Sequence, residues 1–104
     1  MKLIVESGAT KTAWRSLASD GAVREALTSG LSPTCLDEEH CRDIIRAAVP
    51  MLNPSGETVE HVYFYGAGLV SEESASVLRA SLVMWCPFAT VVFHFGLLVV
   101  AWVV

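Results

Sequence analysis

The chain has 104 residues, enough to bury one modest core. Its net charge of −4 and pI near 5.2 leave no basic face, which argues against nucleic acid as a partner. An odd set of three cysteines (Cys35, Cys41, Cys86), with no CxxC pair and no signal peptide ahead of the first apolar run, predicts free thiols in a reducing, cytoplasmic setting.

Residues 2–7 are apolar and β-branched and read as a first strand. A turn over 8–11 leads to a second strand at 12–18, and Ser19-Asp20-Gly21 signals a hairpin into a third at 22–28. Gly30 and Pro33 mark a loop. Asp37 is placed to cap a helix running to about residue 52, with Glu38 and Glu39 in the first turn where the helix dipole favours acids. Cys41, Ile44, Ile45, Ala48 and Leu52 recur at helical spacing and form one apolar face; Pro50 and then Asn53-Pro54-Ser55-Gly56 stop the helix. His40 beside Cys41 has no second ligand pair at zinc spacing, so no metal is expected there.

Residues 59–65 form a mostly unbroken apolar run, as in a strand covered on both faces. "GAG" (Gly66, Ala67, Gly68) ends it, and Ser71 caps a second helix with Glu72 and Glu73 in its first turn, continuing to about residue 85. Residues 90–94 read as a fifth strand. The expected order is β-β-β-α-β-α-β: three antiparallel strands, then right-handed crossovers that lay the later strands parallel to the first in one mixed α/β sheet. Trp14, Trp85 and Trp102 are expected in the core or an interface, and His61 in solvent.

No charged side chain follows Arg79, and residues 90–104 form an atypical apolar tail ending "LLVVAWVV". Residues 87–104 sit at the lower edge of membrane-spanning length, but Gly96 and the β-branched residues interrupt a helix, so membrane insertion is the weaker reading. A tail of this kind on a monomer is an aggregation hazard, which favours pairing with a second chain, as a homo-oligomer.

The stretch "VESGATKTAW" carries the chemistry. A loop that grips phosphate needs glycine for close approach, N–H and hydroxyl donors, and a lysine; a nearby carboxylate can hold the Mg²⁺ that accompanies a nucleotide. Glu6, Gly8, Thr10, Lys11 and Thr12 supply that list in order, though not at Walker A spacing. On residue types alone an ordinary hairpin turn is the stronger reading.

The same stretch resembles the first phosphate motif of the sugar-kinase, actin and Hsp70 superfamily, usually Asp-x-Gly-x-Thr-Lys-Thr. The nearest likeness within it is to N-acetylglucosamine kinase-like proteins and BadF/BcrA-type ATPases. Three further stretches fit in order: "TSGLSP" resembles Thr-x-Gly-x-Asn-Pro, "VYFYGAG" resembles the strand and glycine turn after the first helix, and "VFHFGLL" resembles Val-His-Ser-Asp-Leu-Leu. The resemblance implies a ribonuclease H-like (actin-like ATPase) fold and assigns residues 1–104 to the N-terminal lobe of such a kinase, truncated to about its first third. It further implies that Gly8, Thr10, Lys11 and Thr12 face ATP phosphates and that Glu6 acts through Mg²⁺. The turns at Gly30, Ser32, Gly66 and Gly68 would border an amino sugar.

Departures from the family pattern fall on its chemistry. Glu6 replaces the usual Asp and reaches about 1.5 Å further, one carbon–carbon bond. Ser32 stands in place of a sugar-binding Asn. Phe95-Gly96 stands where Ser-Asp would be, so Gly96 occupies the position of the general base that takes the sugar hydroxyl's proton. The second phosphate motif and the adenosine pocket are also missing from this stretch. The expectation is an N-terminal nucleotide-binding lobe of an N-acetylglucosamine kinase-like ATPase, inactive as an isolated chain. The alternatives are a non-enzymatic assembly module dimerising through its apolar C-terminus, or a tail-anchored membrane protein.

Overall fold

The computed structural model describes residues 1–8, 10–31, 38–66 and 72–94. Its elements, in chain order, are β1 (Lys2–Ser7), β2 (Lys11–Leu17), β3 (Val23–Ser29), α1 (Glu38–Leu52), β4 (His61–Gly66), α2 (Glu72–Trp85) and β5 (Thr90–His94). The five strands form one mixed sheet in the order β3-β2-β1-β4-β5, with β2 antiparallel to both β1 and β3 and with β4 and β5 parallel to β1. This is the α/β arrangement that the order of apolar runs predicts.

Strand periodicity decides the faces. Leu3, Val5 and Ser7 of β1 are buried, and register carries the same face through Thr12, Trp14 and Ser16 of β2 and Val62, Phe64 and Gly66 of β4. Both helices lie on this face. α1 contributes Cys41, Ile45, Ala48 and Leu52, all fully buried at the spacing that marks its apolar stripe, and α2 contributes Leu78 and Leu82. Ser16 Oγ donates to the Leu52 carbonyl at 2.9 Å, fixing the end of α1 against β2. Arg79 of α2 lies 4.9 Å over the Phe93 ring of β5. Full burial of each large side chain here contributes about 1.5–3 kcal/mol.

Several boundaries move from their expected places for local reasons. β2 and β3 begin and end one residue away from 12–18 and 22–28 because the ladder runs from Lys11↔Ser29 to Leu17↔Val23. The Ser19-Asp20-Gly21 turn closes it: Ala22 N–H donates to Asp20 Oδ1 at 2.9 Å, and Gly21 adopts φ +90°, a backbone conformation that favours glycine. Val59 is buried but precedes β4 rather than joining it. Glu60 bridges instead, its N–H donating to the Met1 carbonyl (2.9 Å) and its carbonyl accepting from Thr90 (2.8 Å).

Pro50 does not stop α1. It removes one helical N–H, but α1 continues to the buried Leu52, and Asn53 N–H still reaches the Val49 carbonyl at 2.9 Å. The stop comes at Asn53, whose side chain brackets Glu57 through Nδ2 to its carbonyl (2.7 Å) and Oδ1 from its N–H (2.9 Å). The expected caps Asp37 and Ser71 lie outside the described residues, as does Cys35. Trp14 is core, as expected, while Trp85 is partly exposed. His61 is half-buried and stacks on Tyr63 with centroids 5.9 Å apart, rather than facing open solvent. Among the described residues, no helix is long and apolar enough to cross a membrane.

Candidate functional site

The stretches singled out in the sequence converge on one edge of the sheet. β1, β3 and β4 end there, β2 begins there, and the parallel register sets Ser7 directly beside Gly66. This is also where the chain changes direction across the sheet: after β1 it moves outward to β2 and β3, then returns to the other side of β1 as β4. In open α/β sheets, the carboxyl ends of strands at such a switch point form the crevice that takes ligands.

Gly8 opens the turn, its N–H donating to the Lys11 carbonyl at 2.8 Å. Its φ is not positive, and among the described residues a Cβ placed on it would meet only that carbonyl, at an ordinary 3.7 Å. None of the described residues requires glycine at this position. Thr10 and Lys11 are exposed, and Glu6 is half-exposed on the sheet face opposite the helices. Glu6 pairs with Ala13 across β2, so Lys11 is its diagonal neighbour on that face, about 7–8 Å away and within reach of long side chains.

Thr12 is oriented otherwise than the sequence suggests. Its side chain is 0% exposed, on the helix-covered face, and Oγ1 donates to the Ser29 carbonyl at 2.8 Å. Thr12 therefore braces the loop from inside rather than presenting a hydroxyl to an external anion. The cause is pleat parity: Trp14 must point into the core, and Thr12, two residues earlier, points the same way.

Ser7 is the residue that sequence reasoning missed. Its Oγ accepts the Leu31 N–H at 2.8 Å and lies 3.1 Å from Thr12 Oγ1. Thr12 spends its one proton on Ser29, so the Ser7 hydroxyl donates to Thr12; a longer contact of 3.4 Å reaches the Gly8 carbonyl. The result is a directed chain, Leu31 N–H to Ser7 to Thr12 to the Ser29 carbonyl. It ties the Gly8–Lys11 turn to the segment holding Gly30, next to Gly66. The available signal was a hydroxyl on the inward side of an otherwise apolar strand, at its carboxyl end. Alongside, Trp14 Nε1 donates to Thr28 Oγ1 at 2.8 Å.

Gly30 and Gly66 are buried at this edge. Ser32, Gly68 and Gly96 lie outside the described residues. Among the described residues, no group of three or more His, Cys, Asp or Glu side chains is gathered to hold a metal. Glu6 offers a single carboxylate, which suits Mg²⁺ held mainly by water and phosphate oxygens rather than a protein cage.

No protein-family model matches the sequence, and no curated protein matches it. Among solved structures, the chain is similar to the crystal structure of the "Putative N-acetylglucosamine Kinase" from Porphyromonas gingivalis, at 32% identity and a TM-score of 0.74. The match covers 92% of this chain but 34% of that protein, so the chain spans about a third of its length. The fold is kinase-like, the mixed five-stranded sheet of the actin-like ATPase type.

Proposed function

We propose that this chain is the phosphate-binding portion of an N-acetylglucosamine kinase-like ATPase. The observation that carries the reading is the convergence of the Gly8–Lys11 turn, Gly30 and Gly66 at the β1–β4 switch point. In this reading the Gly8 backbone and the Lys11 ammonium meet the phosphates of ATP, with Thr10 as a hydroxyl donor. In the same reading Glu6 would act on Mg²⁺ through coordinated water. Among the described residues nothing requires Gly8 to lack a side chain, which fits a position kept open for an external group. Bound Mg²⁺ would draw charge from the phosphates; the chain's own part is to orient them and to supply N–H donors at a fixed edge.

The Gly30–Ser32 and Gly66–Gly68 turns would border an amino sugar. With Gly96 at the base position, phosphoryl transfer by this chain alone is not expected. A carboxylate there would contribute about 10²–10⁴-fold in rate.

The test is an ¹⁵N-resolved NMR titration with MgATP. Shifts centred on Gly8, Thr10, Lys11 and Gly66, with affinity of about millimolar and weakened in Lys11→Ala, support the reading. The reading fails if shifts are absent at high millimolar nucleotide, or identical in wild type and Lys11→Ala. A coupled assay with N-acetylglucosamine as acceptor should give no turnover.

A further inference from the structure

Lys11, Ala13 and Arg15 alternate along β2 and so project from the sheet face opposite the helices. Register flanks Ala13 with Glu6 of β1 and Leu27 of β3, and Arg15 with Ile4 and Glu25. Because Ala13 is the shortest of these side chains, a depression forms over it. It is a cavity of about 370 Å³, lined by Ile4, Glu6, Ala13, Arg15, Glu25 and Leu27. Small-molecule sites typically run to about 300–1,000 Å³. Ile4, Ala13 and the 73%-exposed Leu27 are its apolar walls. Arg15 and Glu25 pair at 3.2 Å at one end, and Glu6 stands at the other, toward the Gly8–Lys11 turn. Lys11 follows on the same face, two residues from Ala13 and about 7 Å along the strand. The charged side chains of β1, β2 and β3 on this face are Lys2, Lys11, Arg15, Glu6 and Glu25. Three cations to two acids make it locally cationic on a chain of net charge −4.

We infer that this cavity seats the nucleoside end of the nucleotide whose phosphates meet the Gly8–Lys11 turn, an inference that rests on the function proposed above. Pleat parity carries it. A phosphate held by the Lys11 ammonium lies over this face at the Glu6 end of the cavity, and the organic group esterified to it extends along β2 onto Ala13. A nucleobase suits the walls better than a sugar does. Its flat faces lie against Ile4 and Leu27, and the Arg15 guanidinium, held by Glu25, offers a plane for stacking. A sugar in the same place would set hydroxyls against alkyl groups, with the loss of their hydrogen bonds to water. The seat is separate from the adenosine pocket of the family pattern, which is missing from this stretch.

The test compares MgATP with magnesium methyl triphosphate, which keeps the ester charge and lacks the nucleoside, by ¹⁵N-resolved NMR titration of the full chain. MgATP should bind severalfold more tightly and should shift Ala13, Arg15 and Leu27, which methyl triphosphate leaves unmoved. Ala13→Leu fills the floor of the cavity at an exposed position, and Leu27→Ser removes a wall. Each should bring MgATP down to the affinity of methyl triphosphate while leaving the latter unchanged. Equal affinities in the unaltered chain, with shifts confined to the turn, overturn the inference and leave the phosphate reading standing. An advantage for MgATP that neither substitution reduces overturns it as well. An advantage matched by ribose 5-triphosphate overturns it in favour of a sugar seat. Binding of neither MgATP nor methyl triphosphate removes the phosphate reading and this inference together.

Discussion

The Ser7 and Thr12 hydroxyls stand 3.1 Å apart at the closed end of the first hairpin, and each is bonded onward to a different point of the chain leaving β3. This pair anchors the two ends of the first hairpin's turn to the segment after β3. If the turn receives phosphate as proposed, anchoring its ends beforehand reduces the freedom lost on binding.

Removing the hub should therefore loosen the fold measurably. Ser7→Ala leaves the buried Leu31 N–H without its acceptor, at a cost of about 1–3 kcal/mol. For a domain of this size, each kcal/mol lowers Tm by about 4–8 °C. Thr12→Val should cost about 0.5–1.5 kcal/mol, a typical hydrogen bond. Because the two share one chain of bonds, the double variant should fall short of additivity by at least about 0.5 kcal/mol in urea unfolding. Strict additivity would mean the hydroxyls act separately.

Gly8→Ala separates folding from binding. The new methyl meets only an ordinary contact, so stability should hold or rise by about 0.4–1 kcal/mol through the unfolded chain. If a phosphate approaches the Gly8 backbone, the same methyl should weaken MgATP binding. Equal affinity in wild type and Gly8→Ala, by NMR titration, would remove Gly8 from the site.

Glu57 should give the fold a component of acid sensitivity. Hydrogen bonds from the Ser19 hydroxyl and then its backbone N–H (2.9 Å) hold its carboxyl below the ordinary glutamate value, and the N-terminal ammonium 3.3 Å away adds to this. A lowered folded pKa means that the stabilisation is fully present above the ordinary glutamate range. It is lost as pH falls through the lowered value. Glu57→Gln should flatten the decline in Tm on acidification below about pH 4.5 relative to wild type. An unchanged acid limb would show that these contacts do not persist in solution.

Cys86 should be inert while the protein is folded. Burial pushes its thiol up to about 11, leaving almost no thiolate near neutrality. Cys41 is buried as well. With Cys35 replaced by Ser, reaction with a disulfide reagent at pH 8 should be slow and should accelerate sharply in urea, in step with unfolding. Fast labelling of Cys86 in the native protein would contradict its placement.

The sequence makes most of this architecture legible because its punctuation is strong. β1 and β5 fall at their expected bounds, α1 and α2 end where expected, and the apolar stripe of α1 is the one its spacing predicts. What it conceals is direction and degree. Residue type marks Thr12 as a hydroxyl donor, but only its place two residues from Trp14 reveals that the donor points inward. Ser7 reads as filler in a β run until Leu31 and Thr12, distant in the chain, are seen to share it. Pro50 reads as a stop because local chemistry says so, whereas burial of Leu52 carries the helix through. Strand ends slip by a residue because polar side chains there pair or not according to a partner strand that local sequence does not specify.

The position of β1 at the heart of the sheet sets a timetable for biosynthesis. Its antiparallel neighbour arrives within a few residues, but its parallel neighbour begins at His61, so β1 waits for nearly sixty residues to be made before its second edge is occupied. At about 5–20 residues per second, that is about 3–12 s on the ribosome. During that interval the β1–β2–β3 meander can form by short-range pairing, with Trp14 and Val5 still bare. A nascent chain stalled in this window should be a favoured client for holding chaperones, and its release should coincide with the emergence of β4.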